Sequence, residues 1–325
     1  MVSSEQLQKH NMSGFLGFDT SNYTTSVAIY DNGKVVQEKR LLPVKEGERG
    51  IRQSDAVFHH TKAYAGLLES VLSAYSGEIK AVGASITPTT QEGSYMPCFL
   101  VGESTARAIA LTNNIPFYAF SHQQGHIAAA VLSAKKTRLL NREFFCFHVS
   151  GGTTDLVLCS PDADKIFKTQ LFSHSLDLKA GQAIDRIGAK MGYPFPAGEY
   201  VDKIAKESTA EYSRKIKLFE GNCSLSGLEN KCNKMLDDGE APCDVAKFLL
   251  TYIADTITEM VEYAFKNYRE LPIVFAGGVM SSEVIRGILE SRFNCYFAKH
   301  DLSKDNAVGI AYLTSVSYKR QNRKK

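Results

Sequence analysis

The spacing of apolar positions changes as the chain is read. From Phe15, the run "FLGFDTSNYTTSVAIYDNGKVVQEKRLL" is rich in β-branched and aromatic residues, broken by small polar ones, which is the pattern of strands joined by tight turns. It predicts strands over residues 15–20, 24–30 and 34–41, with a turn at Ser21-Asn22 and a hairpin turn at Asp31-Asn32-Gly33. Residues 43–55 are polar and contain glycine, and read as a loop. In "AVFHHTKAYAGLLESVLSAY" the spacing lengthens to that of a helix, with Val57, Ala65, Leu68, Val71 and Leu72 as the predicted apolar face. "IKAVGASI" reads as a buried strand and "FLVGESTARAIALTN" as a further helix. Ser121, followed three positions on by Gln124, is a capping box of the S-x-x-Q form, so a helix is predicted to start at Ser121.

One pattern occurs twice. "FDTSNYTTSVAIY" from Phe18 and "FHVSGGTTDLVLC" from Phe147 each run strand, small-residue turn, Thr-Thr, apolar strand. Thr24-Thr25 and Thr153-Thr154 hold matching places. As a duplication, this implies two similar α/β lobes, each opening with a hairpin whose turn faces a shared cleft. Ser150, Gly151, Gly152, Thr153 and Thr154 place no bulky side chain at the turn, so backbone N–H groups and hydroxyls can approach phosphate oxygens. A second glycine turn, Gly277-Gly278 in "IVFAGGVMSSEVIRGIL", follows a strand and leads into a helix near Ser281, whose positive N-terminal end suits an anion or nucleotide. Neither a P-loop nor a dinucleotide G-x-G-x-x-G is present in the sequence.

At 325 residues the chain has room for two domains, each with its own core. The net charge of +3 argues for no nucleic-acid partner by its total. Lys319, Arg320, Arg323, Lys324 and Lys325 crowd the C-terminus, as a solvated end or as phosphate contacts. The seven cysteines are odd in number and never form C-x-x-C, which suits a reducing compartment. "MVSSEQLQKHNMSG" has no apolar stretch, and no later run approaches the length of a membrane span, so a cytoplasmic protein with no membrane partner is expected.

His122 and His126 lie four apart in "SHQQGHIAAAVLSA", on one face of the predicted helix, where two imidazoles can reach one ion. Two readings stay open on these residues alone: a pair of metal ligands, or a polar first turn. The Glu of H-E-x-x-H is missing, and two ligands do not close a site.

Taken in order, "GFDTSNYTTSVAIYD", "SHQQGH", "VSGGTTDLV", "DLKAGQAIDRIGAKMGYPFPAG", "CSLSGLE", "VFAGGVMSSEVIR" and "KDNAVGIAY" resemble the motifs of the TsaD (Gcp/YgjD) family over most of the chain. The resemblance implies an α/β, two-lobed fold of the actin/hexokinase/Hsp70-like (ribonuclease H-like) ATPase class with an interlobe cleft. The expected lobes are residues 1–120, with 305–325 packing back on them, and residues 121–304. It implies an acyltransferase that moves a threonylcarbamoyl group from threonylcarbamoyl-adenylate to N6 of the adenosine beside the tRNA anticodon. The implied partners are tRNA, threonylcarbamoyl-adenylate and TsaB-like and TsaE-like accessory proteins. It also implies one divalent metal, iron or zinc, held by His122, His126 and Asp305. An adenylate or ATP would be held by Ser150, Gly151, Gly152, Thr153 and Thr154, by Asp177, Gly181 and Asp185, and by Gly277, Gly278 and Ser282.

The chain departs from the family pattern at several of these places. Gln124 stands for the Glu of H-M-E-G-H, Thr153 for the His of S-G-G-H, Ser282 for an Asn and Glu229 for the Lys of S-G-L-K, and two acidic residues of the first hairpin are gone. Gln124 can complete a capping box but cannot take a proton. The sequence offers no general base, so no catalytic residue is named. Two alternatives follow: a nucleotide- and metal-binding regulatory paralogue without transfer, or a carbamoyltransferase acting on a small molecule.

Overall fold

The computed structural model describes residues 12–21, 23–43, 51–212, 215–298 and 306–323. The first unit is built on a sheet in the order β3-β2-β1-β4-β5, from β1 (Ser13–Ser21), β2 (Thr24–Asp31), β3 (Lys34–Leu41), β4 (Glu78–Thr87) and β5 (Phe117–Ser121). β1 pairs antiparallel with β2 and parallel with β4, and Thr20 faces Thr25 where the hairpin turns. The three predicted strands are all present. Helix α1 (Gln53–Ser73) and helix α2 (Phe99–Thr112) complete the core built on Leu16, Phe18, Val27, Ile29, Val82 and Ala84.

Two expectations about α1 need correction. The helix starts at Gln53, inside the span read as a loop, with Asp55 in its first turn where a carboxylate meets the positive helix end. Residues 44–50 lie outside the described residues. Its buried stripe is Ala56, His60, Ala63, Tyr64, Leu67 and Val71, one position off the predicted face; Ala65 is exposed and Leu72 is 41% exposed. The prediction counted only aliphatic residues, whereas His60 and Tyr64 occupy the inward face and complete its period.

The second unit repeats the plan. β6 (Phe144–Val149), β7 (Thr154–Asp162), β8 (Ile166–His174), β9 (Ile273–Ala276) and β10 (Cys295–Phe297) form a sheet in the order β10-β9-β6-β7-β8. β6 pairs antiparallel with β7 and parallel with β9, as β1 does with β2 and β4. The duplication read from the two Thr-Thr hairpins is therefore one of topology as well as sequence. Around this sheet lie α4 (Ala180–Lys190), α5 (Gly198–Ala205), α6 (Ser226–Asp237), α7 (Pro242–Asn267) and α8 (Glu283–Arg292). The long α7 buries a stripe from Val245 to Ala264 in a core with Phe145, Phe147 and Phe275.

Helix α3 (His122–Ser133) follows β5 without a loop and, with the C-terminal helix α9 (Asn306–Asn322), belongs to the first unit. The contacts divide the chain after Thr137, not after residue 120, and assign the hairpin tip Asp162–Lys168 to the first unit as well. Asp305, expected as the third metal ligand, lies outside the described residues. Among the described residues no helix is long and apolar enough to cross a membrane.

α9 lies backbone to backbone on α3. A Cβ on Gly309 would fall 1.8 Å from the carbonyl oxygen of Gly125, and the neighbouring atom is main chain that cannot swing aside. Gly309→Ala is therefore expected to push α9 off α3 and lose about 1–3 kcal/mol of stability, the usual cost of overpacking, read from the urea midpoint. An unchanged midpoint would mean that this contact is not close in solution.

Candidate functional site

The first polar cluster gathers at the start of α3. Ser121 Oγ accepts from the Gln124 backbone N–H at 3.1 Å, and Gln124 Oε1 accepts from the Ser121 N–H at 2.9 Å, closing the predicted capping box. The Gln124 amide does more. Its Nε2 donates to the carbonyl oxygens of Lys165 and Phe167, at 3.1 and 2.8 Å, and so ties the β7–β8 hairpin tip to the helix start. Arg320 donates to the carbonyl of Asp162 at 3.2 Å, and Lys319 reaches Asn32 at 3.4 Å. These two basic residues are thus engaged with the first unit, whereas the sequence left them as a solvated end or as phosphate contacts.

His122 and His126 stand edge to face with ring centroids 4.5 Å apart. His122 Nδ1 lies 2.8 Å from Asp19 Oδ2. Asp19 is 1% exposed and also accepts from the Ser85 hydroxyl at 2.7 Å and the Ser21 N–H at 3.1 Å. Burial pushes its carboxyl up, but His122, Ser85 and Ser21 outweigh that and hold it below its ordinary value. A carboxylate whose folded pKa is depressed stabilises the protein above its unfolded pKa, and the contribution disappears as pH falls through the folded value. The Asn306 amide nitrogen lies 3.2 Å from His122 Nδ1, and its oxygen is buried with no partner among the described residues.

Below this cluster, Thr25 Oγ1 lies 2.7 Å from His60 Nδ1. Burial lowers the His60 pKa to about 4, against the smaller opposing pull of the Ser21 backbone and Asp19, so the ring is neutral at pH 7. Asp19 and His60 were not singled out from the sequence. Asp19 is detectable there as the acid in an otherwise apolar strand, and His60 only once the inward face of α1 is known.

The donor set for a metal is met in part. Two imidazoles share one helix face, and the carboxylate on Nδ1 of His122 is the outer partner that ligating histidines usually have, leaving Nε2 to bind. Asp305 is outside the described residues, and among those described no group of three His, Cys, Asp or Glu side chains is placed to hold an ion.

The second cluster lies in the second unit. At the turn between β6 and β7, Ser150 N–H donates to the Thr153 carbonyl at 2.8 Å, and Gly181 N–H donates to the Ser150 carbonyl at 3.1 Å. Thr154 Oγ1 accepts from the first N–H of α4, that of Ala180, at 3.0 Å. The turn is thereby locked to a helix N-terminus, with Gly151 and Gly152 exposed. Gly277 comes next to it: with φ at +99°, it sits where a Cβ would be 2.2 Å from the Val149 carbonyl. Ser150, Gly151, Gly152, Thr153, Thr154, Gly181 and Gly277 are thus brought together, and Gly278 follows in a short 3-10 turn.

The remaining predicted nucleotide contacts are engaged with protein groups. Asp177 accepts from the Leu178 and Leu225 N–H groups at 2.6 and 2.8 Å and from the Ser224 and Ser226 hydroxyls at 2.5 and 2.6 Å. Burial opposes ionisation there, but the two serines and the two N–H groups outweigh it and hold the carboxyl far below the usual range. Asp185 accepts from Ala197 N–H at 2.8 Å. Ser282 caps α8 by accepting from Ile285 N–H at 3.2 Å, and donates to Asp202. Glu229 pairs with Arg186 at 3.1 Å.

A family model described as tRNA N6-adenosine threonylcarbamoyltransferase, TsaD, matches residues 35–312. The chain belongs to the TsaD family. A curated relative with that name from Wigglesworthia glossinidia brevipalpis is 26% identical over 326 residues, covering 95% of this chain and 93% of its own length. Solved structures similar to it include component A of (R)-2-hydroxyglutaryl-CoA dehydratase from Acidaminococcus fermentans, at 15% identity and TM-score 0.54, covering 94% of this chain and 99% of that one. A ROK glucokinase from Streptomyces griseus gives 9% identity and TM-score 0.51 over 94% and 99%. Full-length HypF in its phosphate- and nucleotide-bound form gives 10% and 0.57 over 94% of this chain and 55% of that one. At such identities these neighbours show the fold alone, a two-lobed ATPase-like α/β architecture.

Set against the TsaD pattern, Gln124 is not an idle loss of charge. At 2% exposure its amide donates to two carbonyls, a task that a carboxylate cannot perform. Gln124→Glu would therefore leave two buried carbonyls without their donor. The substitution should cost more than the 1–3 kcal/mol typical of a buried unsatisfied group, measured by urea unfolding. Such a carboxyl would have a raised folded pKa, so its penalty grows as pH rises through and above the unfolded value. Equal loss at pH 5 and pH 8 would remove this account.

Proposed function

We propose that the chain transfers a threonylcarbamoyl group from threonylcarbamoyl-adenylate to N6 of the adenosine beside the tRNA anticodon. The observation that carries this reading is the TsaD match across residues 35–312, and the locked glycine turns support it. In this reading the Ser150–Thr153 turn holds the adenylate phosphate, because the exposed Gly151 and Gly152 put no side chain between an anion and the start of α4. Gly277 and Gly278 face the adenosine. Asp185 is the carboxylate assigned to the ribose. Asp177, with donors from four residues already on it, braces the loop against Ser224–Ser226. Ser282 acts as a helix cap.

His122, His126 and Asp305 would hold the metal, iron or zinc, with Asp19 fixing the His122 tautomer. When bound, it supplies a Lewis acid that polarises or orients ligand oxygens. The other groups of the chain bind and orient. TsaB-like and TsaE-like proteins are the expected accessory partners, and tRNA the acceptor.

A regulatory paralogue without transfer is the second reading, favoured by one observation: Gln124, between the two histidines in sequence, is a buried amide already used to hold the hairpin tip. Incubating the chain, its accessory proteins, threonylcarbamoyl-adenylate and unmodified tRNA, followed by nucleoside analysis, separates the two. Modified adenosine is expected. Its absence, with nucleotide still raising the melting temperature through mass action, would favour the regulatory reading.

The metal is tested apart from activity. Protein prepared without chelator should carry close to one equivalent of metal, and His126→Ala should lose it with the fold intact, since one helix supplies two of the donors. Full metal content in that variant would remove the site.

A further inference from the structure

Between the two glycine turns of the second unit lies an imidazole that no family motif supplies. His148 is the penultimate residue of β6, opposite Asp155 on β7 and beside Ala276 on β9. Its ring edge is close enough to Gly277 that a Cβ there would be 2.9 Å from His148 Cδ2. Its Nδ1 is 3.1 Å from Thr153 Oγ1, which is 2.9 Å from Ser150 Oγ.

The direction of this chain of hydrogen bonds follows from counting. Ser150 Oγ accepts from the Gly152 and Thr153 N–H groups, each at 3.1 Å. A hydroxyl oxygen has two lone pairs and one proton, so with both pairs filled the Ser150 proton goes to Thr153. Thr153, already an acceptor, can then point its own proton at His148 Nδ1. The run begins on two fixed main-chain donors and ends on an imidazole nitrogen able to take a proton. Ser150 and Thr153 are half-buried at the exposed turn, where a bound ligand would reach them.

We propose that His148 accepts, through the Thr153 hydroxyl, the proton released when an amine attacks an acyl-adenylate held at this turn. The inference rests on the transfer reading above and supplies the proton acceptor that reading lacks. In the step, the amine nitrogen bonds to the acyl carbon and the bond from that carbon to the adenylate phosphate oxygen breaks. AMP leaves with the electron pair. The amine proton passes to Thr153 Oγ1 as the Thr153 proton passes to His148 Nδ1. No oxidant or further reactant is needed. Thr153 is the group that touches substrate, and His148 acts through it.

Asp155 faces His148 across the ladder, with Lys179 and His174 around Asp155; Ala276 and Gly277, on the third side, do not titrate. Burial pushes the Asp155 carboxyl up against the pull of Lys179 and His174.

The test uses the full chain with its accessory proteins, threonylcarbamoyl-adenylate and unmodified tRNA. Long-range proton–nitrogen spectra of the free protein should show His148 protonated at Nε2, with Nδ1 as acceptor; a proton resident on Nδ1 would overturn the relay whatever the protein transfers. In the assay, wild-type kcat should fall at low pH as the imidazole is protonated. His148→Gln keeps an acceptor for Thr153 but cannot take a proton; it should lose roughly 10²–10⁴-fold in kcat together with that acidic limb, with KM little changed. Thr153→Val should behave alike, and Thr153→Ser should recover the limb that Val removes. Transfer by His148→Gln at the wild-type rate and with the wild-type pH profile overturns the relay and leaves the transfer reading standing. Failure of the wild type itself to modify tRNA overturns both.

Discussion

The distance between two main chains governs the first polar cluster. Where α9 crosses α3, Gly309 and Gly125 meet with no side chain between them, and only at that separation does the first residue of α9, Asn306, come within 3.2 Å of His122. The same helix lies against β1, so Asp19, the histidine pair and the N-terminus of α9 share one small volume. A methyl group at the crossing would not remove a ligand. It would move the element that carries Asn306 and, next to it in sequence, Asp305.

Apart from the Asn306 amide oxygen, the polar groups named in that volume share partners rather than bonding independently. Asp19 holds His122, Ser85 and the Ser21 backbone at once, and each partner makes its ionised form less costly to bury. Gln124 holds Ser121 on one side and two hairpin carbonyls on the other. In such a network the loss of one member leaves several groups unpaired, so effects of substitution are not additive. The His122 ring is thereby held by a buried carboxylate that is itself bonded to Ser85 and the Ser21 backbone.

Much of this was legible in the chain. The strand hairpins, the capping box at Ser121 and the doubling of the Thr-Thr turn are local patterns, set by neighbours within a few positions, and all three are present in the structure. The inward face of α1 was not legible, because His60 and Tyr64 are buried by partners on β1 and β2 that only the tertiary fold provides. Nor was the engagement of Asp177. A lone aspartate beside a helix looks available in sequence, whereas here its donors arrive from residues 224–226. Membership of the TsaD family places residues in motifs but does not say which atoms of the protein have already claimed them.

This bears on how the departures from the family pattern should be weighed. Judged by type, Gln124 and Thr153 each replace a titratable residue with a neutral one, and the chain looks stripped of proton chemistry. Judged by bonding, the two changes differ. At position 124 the carboxylate could not be restored without breaking two bonds to the hairpin, so the amide and the hairpin seat go together. At position 153 the lost imidazole is answered by one at His148, five residues earlier and in hydrogen-bond contact with the residue that replaced it. A substitution in a motif is therefore a loss of function only after the space around it has been searched for the group that was removed. In the second unit that search ends on a histidine pressed against Gly277, a position whose glycine is required first by the ring and the Val149 carbonyl, before any ligand is considered.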